Sequence, residues 1–178
     1  MTDRVILFHL DMDSPKTLLR FWGSPEVQPD MERFYTAAMG RALELFSDLQ
    51  IPATFFCIGE EIERSPIGCH RLRKAFESGH EIANHTYTHP MGLTGLSDDD
   101  IRNEIKKCSR VIQDITGEMP VGFRAPSYEI NNRILNLLEE QDFLYDSSGV
   151  PKICEINGRF ILGMRQSLKV VTISILRP

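Results

Sequence analysis

The sequence predicts an α/β fold in which short parallel strands alternate with helices. Apolar runs of a few residues, typical of buried strands, alternate with longer segments that show helical periodicity. That order favours repeated β/α units and a parallel sheet. With 178 residues, of which 42% are hydrophobic, the chain is large enough to bury one sizeable core. We therefore expect a single domain that spans residues 1–178.

The first third of the chain predicts a strand, a loop and a long helix. Residues 5–8 are a short apolar run, as expected for a buried strand. Residues 15–29 contain three prolines and one glycine, and we expect a long loop there. Apolar residues recur at helical spacing over residues 31–49, which predicts a helix. Its predicted buried face consists of Phe34, Ala38, Ala42, Leu45 and Leu49.

Two strands flank the next predicted helix. Residues 53–58 form a second apolar run, which ends at Gly59. Residues 68–77 predict a helix that stops at a Ser-Gly pair, and residues 80–84 predict a third strand. The charged stretch 60–64 between them is expected to be a solvated helical face.

The helix predicted over residues 98–115 carries the clearest signals. Ser97 is a suitable N-cap, and three aspartates occupy the first turn, where negative charge is favourable. Residues 121–123 then predict a fourth strand, residues 131–141 a helix and residues 143–145 a fifth strand. Two extended segments, 159–162 and 168–176, follow with no helix between them.

Polar residues follow the predicted strands at the ends where parallel β/α folds build their active sites. They are Asp11 and Asp13, His85 and His89, Arg124, and Asp146. Because the carboxyl ends of parallel strands meet at one edge of the sheet, these side chains are expected to converge.

A metal site is one interpretation of the histidine and aspartate pairs. On a helical turn, the four-residue spacing of His85 and His89 would aim both imidazoles at one point. Asp11 and Asp13 would share a face of an extended chain and repel each other unless a cation neutralised them. A divalent ion held by Asp13, His85 and His89 would leave Asp11 as a base, the pattern of a catalytic zinc site. The alternatives are two loop histidines and two aspartates that cap a turn.

Arg124, Asp146 and His9 have simpler alternatives. The Arg124 guanidinium could hold Asp11 ionised and oriented, although a surface arginine is the commoner case. Asp146 ends the fifth strand, where a turn or cap explains it as well as a functional site does. We expect His9 to pack on the face of the first strand opposite the residues that neighbour the aspartates.

The composition argues against a nucleic-acid-binding protein, a membrane-spanning protein and a disulfide-rich secreted protein. Twenty basic and twenty-five acidic residues give a net charge of −5. The sequence lacks the basic stripe that is typical of nucleic-acid-binding proteins, so we expect no nucleic-acid partner. No apolar stretch approaches the roughly 18 residues of a membrane span. The four cysteines fit neither a zinc motif nor a compact disulfide framework, and the chain opens without a secretion signal. Both observations predict a cytoplasmic location.

Four motifs, in this order, resemble the polysaccharide deacetylases, the NodB-homology carbohydrate esterases. They are Asp-Met-Asp at 11–13, Ala-Thr-Phe-Phe at 53–56, the stretch from Gly79 to His89, and Arg-Ala-Pro-Ser at 124–127. The similarity covers about residues 4–150. It implies a distorted (β/α) barrel of the NodB type, usually with seven strands, which here would be incomplete at the C-terminus.

The resemblance also implies roles for individual residues. Asp11 matches the catalytic base, and Arg124 matches the arginine that braces it. Asp13, His85 and His89 match the metal ligands. The segment around Ser127 matches the place where a backbone N–H helps to bind the oxyanion, although many relatives carry tyrosine there. We assign substrate binding to Ser127, Tyr128 and Asp146.

The implied function is metal-dependent hydrolysis of an N-acyl group, acetyl or formyl, on a sugar, an oligosaccharide or another small amide. Zinc is the expected ion, with cobalt, nickel and iron as alternatives. The family usually supplies a late histidine as general acid, and no histidine follows His89. A catalytically impaired relative that binds metal or carbohydrate is therefore the alternative, and a hydrolase of cyclic amides would share the same site residues. An incomplete barrel would leave an open sheet edge, which a homo-oligomer would cover.

Overall fold

A five-stranded parallel sheet forms the centre of the computed structural model, which describes residues 7–24 and 26–149 together with the backbone of 152–156 and 159–163. The strands are β1 (Phe8–Asp11), β2 (Ala53–Cys57), β3 (Glu81–Asn84), β4 (Gly122–Phe123) and β5 (Tyr145–Asp146). They neighbour one another in chain order, and every pairing is parallel. The predicted α/β class and its NodB-type architecture are confirmed.

Two further strands form a separate antiparallel hairpin, β6 (Lys152–Ile156) and β7 (Arg159–Gly163). The extended segment predicted at 159–162 lies within β7. The segment predicted at 168–176 and the first half of the run at 5–8 lie outside the described residues.

Helices connect the parallel strands. They are α1 (Pro15–Phe21), α2 (Met31–Arg33), a π-helical segment (Phe34–Met39), α3 (Gly40–Asp48), α4 (Gly59–Glu63), α5 (Pro66–Glu77), α6 (Asp98–Thr116) and α7 (Asn132–Glu139). Ser97 caps α6 by accepting a hydrogen bond from the Asp100 N–H, as predicted. None of the helices in the described part of the chain is long and apolar enough to cross a membrane.

The long loop expected over residues 15–29 is wrong in its first half, because α1 occupies it. The Ser14 side chain accepts a hydrogen bond from the Thr17 N–H, and Pro15 stands in the first turn, where its missing N–H costs nothing. A proline that reads as a loop signal is therefore the start of a helix here.

The face predicted for the helical stretch 31–49 is right for Phe34 and Ala42, which pack against the core, and wrong for Ala38, Leu45 and Leu49, which are exposed. Leu45 and Leu49 are 55% and 56% exposed, whereas Tyr35, Met39 and Phe46 are buried. The stretch carries apolar residues on two faces, and the face with the larger aromatic side chains packs on the core, where burial of large rings gains the most.

The core has two parts. One lies where β2, α5 and α6 meet, and Phe55, Cys57 and Leu72 are fully buried in it. The other packs α6 and α7 around Phe123, Ile101 and neighbouring residues. In α6 the apolar residues at helical spacing are all buried: Ile101, Ile105, Cys108 and Ile112. The two parts of the core pack against the sheet and hold the carboxyl ends of the strands in a fixed register.

Candidate active site

Backbone hydrogen bonds continue past the ends of β1, β3 and β4 and align the segments that follow these strands on the neighbouring strand. The N–H of Met12 donates to the Phe56 carbonyl at 2.9 Å, and the N–H of His85 donates to the Cys57 carbonyl at 3.0 Å. The N–H of Arg124 donates to the carbonyl of Asn84 at 3.0 Å. The predicted convergence of polar residues at this edge of the sheet is therefore what the main chain produces.

Asp13, His85 and His89 face one another in a small cluster. Asp13 Oδ1 lies 3.5 Å from His85 Nε2 and 3.4 Å from His89 Nε2. One ligand atom from each residue lies within 4.8 Å of the other two. Both imidazoles are buried, and the aspartate is partly exposed. This spacing would let a single ion contact all three groups.

Hydrogen bonding directs one lone pair of His85 at the cluster, whereas neither ring nitrogen of His89 has a hydrogen-bond partner. His85 Nδ1 lies 2.7 Å from the carbonyl oxygen of Arg124, to which it donates, so Nε2 is the free acceptor. Burial, followed by the nearby His85, lowers the pKa of His89 to about 4, so its ring is neutral near pH 7. His89 Nε2 and Asp13 Oδ1 are buried without a hydrogen-bond partner. Three acceptors that face each other without a proton between them fit a cation.

The charge on Asp13 is consistent with that fit. Burial acts to raise the pKa of Asp13, but the contact with His85 and the nearby imidazoles lowers it overall. The carboxylate is therefore ionised at neutral pH, and it can serve as an anionic ligand beside two neutral ones.

The histidines converge from a loop and not from the helical turn considered in the sequence analysis. Thr86 and His89 both adopt left-handed backbone conformations, with φ of 65° and 52°. Glu104 of α6 accepts hydrogen bonds from the N–H groups of Tyr87 and Thr88 and from the Thr88 hydroxyl. From the other side, Arg20 donates to the carbonyls of Thr88 and His89. Two elements thus fix a loop whose conformation is otherwise unfavourable.

Asp11 sits beside this cluster in different surroundings. Arg124 Nη1 donates to Asp11 Oδ1 at 2.5 Å. The guanidinium is almost buried and lies 4.1 Å from the centre of the Phe56 ring. A flat guanidinium held against an aromatic face keeps one orientation, so Asp11 is fixed as well.

His9 and Ser147 hold the other side of the Arg124 guanidinium. Arg124 Nη2 lies 2.9 Å from His9 Nδ1 and donates to Ser147 Oγ at 2.6 Å, while Nε donates to the Ser147 carbonyl at 3.2 Å. The expectation that His9 packs on the face of β1 opposite the aspartates' neighbours is confirmed, because residues 9 and 11 share a face of that strand and both contact Arg124. Strand periodicity was the signal for His9, whereas nothing in the sequence singles out Ser147.

Tyr128 reaches Asp11 from a strained turn. Ser127 and Tyr128 have φ values of 54° and 58°, in the left-handed region that favours glycine. The Tyr128 hydroxyl donates to Asp11 Oδ2 at 3.2 Å. Tyr128 is 45% exposed, and Ser127 is exposed beside it. Both residues therefore line the open side of the site.

Asp146 is occupied with a neighbouring serine. Its oxygens accept hydrogen bonds from the Ser148 hydroxyl at 2.5 Å and the Ser148 N–H at 3.1 Å. Ser148 Oγ in turn accepts from the Ala125 N–H at 2.7 Å. Burial raises the pKa of Asp146, although these hydrogen bonds oppose the shift. The contacts of Asp146 hold the turn after Arg124, and its assignment to substrate binding stays a prediction.

Glu61 is a buried carboxylate that sequence reasoning placed on a solvated face. It is 6% exposed, and its Oε1 accepts hydrogen bonds from the hydroxyls of Ser14 and Thr17, both at 2.6 Å. Burial raises its pKa, and the two hydroxyls act against the shift. Because Ser14 directly follows Asp13, Glu61 anchors the turn that presents the candidate ligand.

Comparison with known families identifies the chain's relatives. The family model described as polysaccharide deacetylase matches residues 30–145. A peptidoglycan deacetylase from Helicobacter pylori is 30% identical over 149 residues, which cover 81% of this chain and 49% of that protein. The chain spans about half the length of this relative and about a third of the next two curated relatives.

Solved structures agree with that relationship. A Mycobacterium smegmatis protein assigned as a polysaccharide deacetylase superposes with a TM-score of 0.65 at 29% identity, covering 79% of this chain and 49% of its own. A Bacillus anthracis protein described as a CE4 family pseudoenzyme superposes with a TM-score of 0.60 at 22% identity, covering 80% and 42%. At that identity, the second likeness shows only a shared fold.

Proposed function

The chain belongs to the polysaccharide deacetylase family, and from this premise we propose that it hydrolyses the acetyl amide of N-acetylated sugars in a glycan. The observation that carries the proposal is the arrangement of Asp13, His85 and His89 as three converging acceptors next to Asp11. A purely structural cluster would satisfy its buried acceptors with donors, and this one does not.

Asp13, His85 and His89 are the residues that would hold a divalent ion, with zinc as the first choice and cobalt, nickel or iron as alternatives. When bound, such an ion polarises the acyl carbonyl and makes a coordinated water more acidic. Three protein ligands leave room for that water, the arrangement of catalytic rather than structural zinc sites.

Asp11 is the base in this proposal. Its Oδ1 accepts the short hydrogen bond from Arg124, so we assign the proton of the attacking water to Oδ2, whose contact with the Tyr128 hydroxyl is longer. The hydrogen bond from the guanidinium fixes the orientation of the carboxylate. His9 and Ser147 fix Arg124 in turn, so the position of the base depends on three side chains.

The oxyanion that forms from the acyl carbonyl also needs a hydrogen-bond donor from the protein. Pro126 has no N–H, and the N–H of Tyr128 already donates to the Ala125 carbonyl. We assign this role to the N–H of Ser127, which lies on the exposed turn between them. Such a preorganised donor typically contributes about 10²-fold or more to turnover.

The test is acetate release from N-acetylglucosamine oligomers and from peptidoglycan fragments, with N-formyl and cyclic amide compounds as comparison substrates. The protein is stripped with a chelator and assayed before and after addition of zinc or cobalt. We expect acetate release that disappears on stripping and returns with the metal. Zinc binding by calorimetry without any acetate release would instead support an impaired relative that only binds metal.

A further inference from the structure

The two oxygens of Asp11 have different partners. Oδ1 accepts from Arg124, while Oδ2 accepts from the Tyr128 hydroxyl at 3.2 Å. In the proposed function, Oδ2 is the oxygen that collects the proton of the attacking water. Tyr128 therefore touches the atom at which the proton arrives.

The backbone is built to place Tyr128 there. Ser127 and Tyr128 are consecutive non-glycine residues in the left-handed region, an arrangement that persists only where surrounding contacts impose it. The Tyr128 N–H and carbonyl are tied to Ala125 and Ile130 by hydrogen bonds of 3.0 Å. The Arg124 guanidinium lies 5.5 Å from the Tyr128 ring centre. A surface tyrosine without a task does not require such a turn.

Amide hydrolysis also requires a second proton transfer. The amine cannot leave as an anion, so its nitrogen must be protonated as the C–N bond breaks. Of the two residues that contact the Asp11 carboxylate in the described part of the chain, Arg124 does not release a proton at working pH. Tyr128 has a transferable proton, and at 45% exposure it faces the open side where substrate would lie.

We propose that the Tyr128 hydroxyl relays the proton from Asp11 to the leaving nitrogen, an inference that rests on the proposed function. The proton on Asp11 Oδ2 moves to the phenol oxygen while the phenol's own proton moves to the nitrogen. The C–N bond breaks with its electron pair on nitrogen, which leaves as the amine, and the acyl group leaves as the carboxylic acid. Asp11 returns to carboxylate and Tyr128 to neutral phenol, so no further reactant is needed.

The protonation state of Tyr128 suits this role. Burial and the neighbouring Asp11 carboxylate raise the pKa of Tyr128 above its ordinary value, so the phenol is neutral at working pH. A phenol is a weak acid by itself. The simultaneous gain of a proton from Asp11 is what allows it to protonate an amine.

The experiment compares Tyr128→Phe with the unaltered protein on two substrates. One is an N-acetylglucosamine oligomer, whose amine must be protonated to leave. The other is p-nitrophenyl acetate, whose phenolate leaves without a proton; only its metal-dependent hydrolysis is counted. We expect kcat/KM on the oligomer to fall about 10²-fold or more, the usual contribution of a general acid, and kcat/KM on the ester to change less than about fivefold.

Tyr145→Phe is the matched control, because it removes another phenol that donates to a carboxylate, that of Glu81, at 2.8 Å. Its oligomer-to-ester ratio should equal that of the unaltered protein. Zinc content and circular dichroism should be unchanged in Tyr128→Phe.

Three results would overturn the relay. Equal losses on both substrates in Tyr128→Phe would mean that Tyr128 only orients Asp11, and full activity on the oligomer would mean that it has no role. Lost zinc in this variant would point to a structural effect. An unaltered protein that, once reloaded with metal, hydrolyses neither substrate contradicts the proposed function itself.

Discussion

Asp11 and Asp13 stand two residues apart, yet they meet opposite surroundings. Asp13 Oδ1 is buried and faces two imidazole nitrogens that also lack a donor. Both oxygens of Asp11 accept hydrogen bonds, from Arg124 and Tyr128. Their positions in the chain are nearly equivalent, so the difference comes from what the other strands bring to each of them.

The comparison shows how one short segment can carry two kinds of chemistry. A carboxylate that faces lone pairs favours a cation, whereas one oriented by a guanidinium is placed to take a proton. The loop after β3 supplies the first environment, and the residues after β4 and β5 supply the second. In the proposed function, these surroundings are what distinguishes the metal ligand from the base.

Removing one of the three candidate metal ligands should have the largest effect of all. We expect His89→Ala to abolish zinc binding, because two remaining ligands cannot hold the ion. The measurement is calorimetric zinc titration together with the rise in melting temperature that zinc causes. His70→Ala, at an exposed position of α5, is the matched control. Unchanged zinc affinity in His89→Ala would remove His89 from the ligand set.

Neutralising Asp11 and Asp13 separately tests whether the two carboxylates have different roles. Asp11→Asn should retain zinc but lose about 10²- to 10⁴-fold in acetate release, the contribution of a general base. Asp13→Asn should lose zinc and activity together. The measurement is metal content and turnover on the same preparations. If Asp11→Asn lost zinc as readily as Asp13→Asn, the two carboxylates would share the ion and the distinction would disappear.

Much of the fold could be predicted because parallel strands and helices leave strong local patterns. The burial of Ile101, Ile105 and Cys108 on α6 follows from their spacing alone. The buried face of residues 31–49 could not be chosen, because both faces carry apolar residues and only packing decides between them. The helix α1 was missed because Pro15 reads equally well as a loop residue and as a first-turn residue.

The site divides in the same way. Asp13, His85 and Arg124 each follow a strand, so parallel topology predicts that they meet. The residues that support them, such as Glu104 and Ser147, were missed because their contacts depend on how a helix docks and how a turn closes. The left-handed backbone conformations of Thr86 and His89 could not be predicted either, because residue spacing carries no information about them.

Glu104 tests whether the shape of the histidine loop matters for metal binding, since its carboxylate contacts the loop but no ligand atom. Its carboxylate holds the N–H groups of Tyr87 and Thr88, between the two histidines. Glu104→Ala should weaken zinc binding by about 10- to 100-fold, as loss of an outer support does. Glu118→Ala, at an exposed position beyond α6, is the control. Calorimetric affinities equal in both variants would show that the loop keeps its shape without Glu104.

Ser147 provides the smallest expected effect and tests the base side alone. Ser147→Ala removes the hydroxyl that accepts from Arg124 at 2.6 Å but keeps the carbonyl that accepts from Nε. Hydrogen bonds to charged groups contribute about 1.5–3 kcal/mol, and because the carbonyl contact remains we expect the lower end of that range, a fall in kcat of about tenfold. Zinc affinity and KM should stay unchanged, because the metal ligands and the exposed turn are not touched. A fall in zinc affinity instead would mean that the Arg124 network also positions the His85 ring through the Arg124 carbonyl, and the two sides of the site would not be independent.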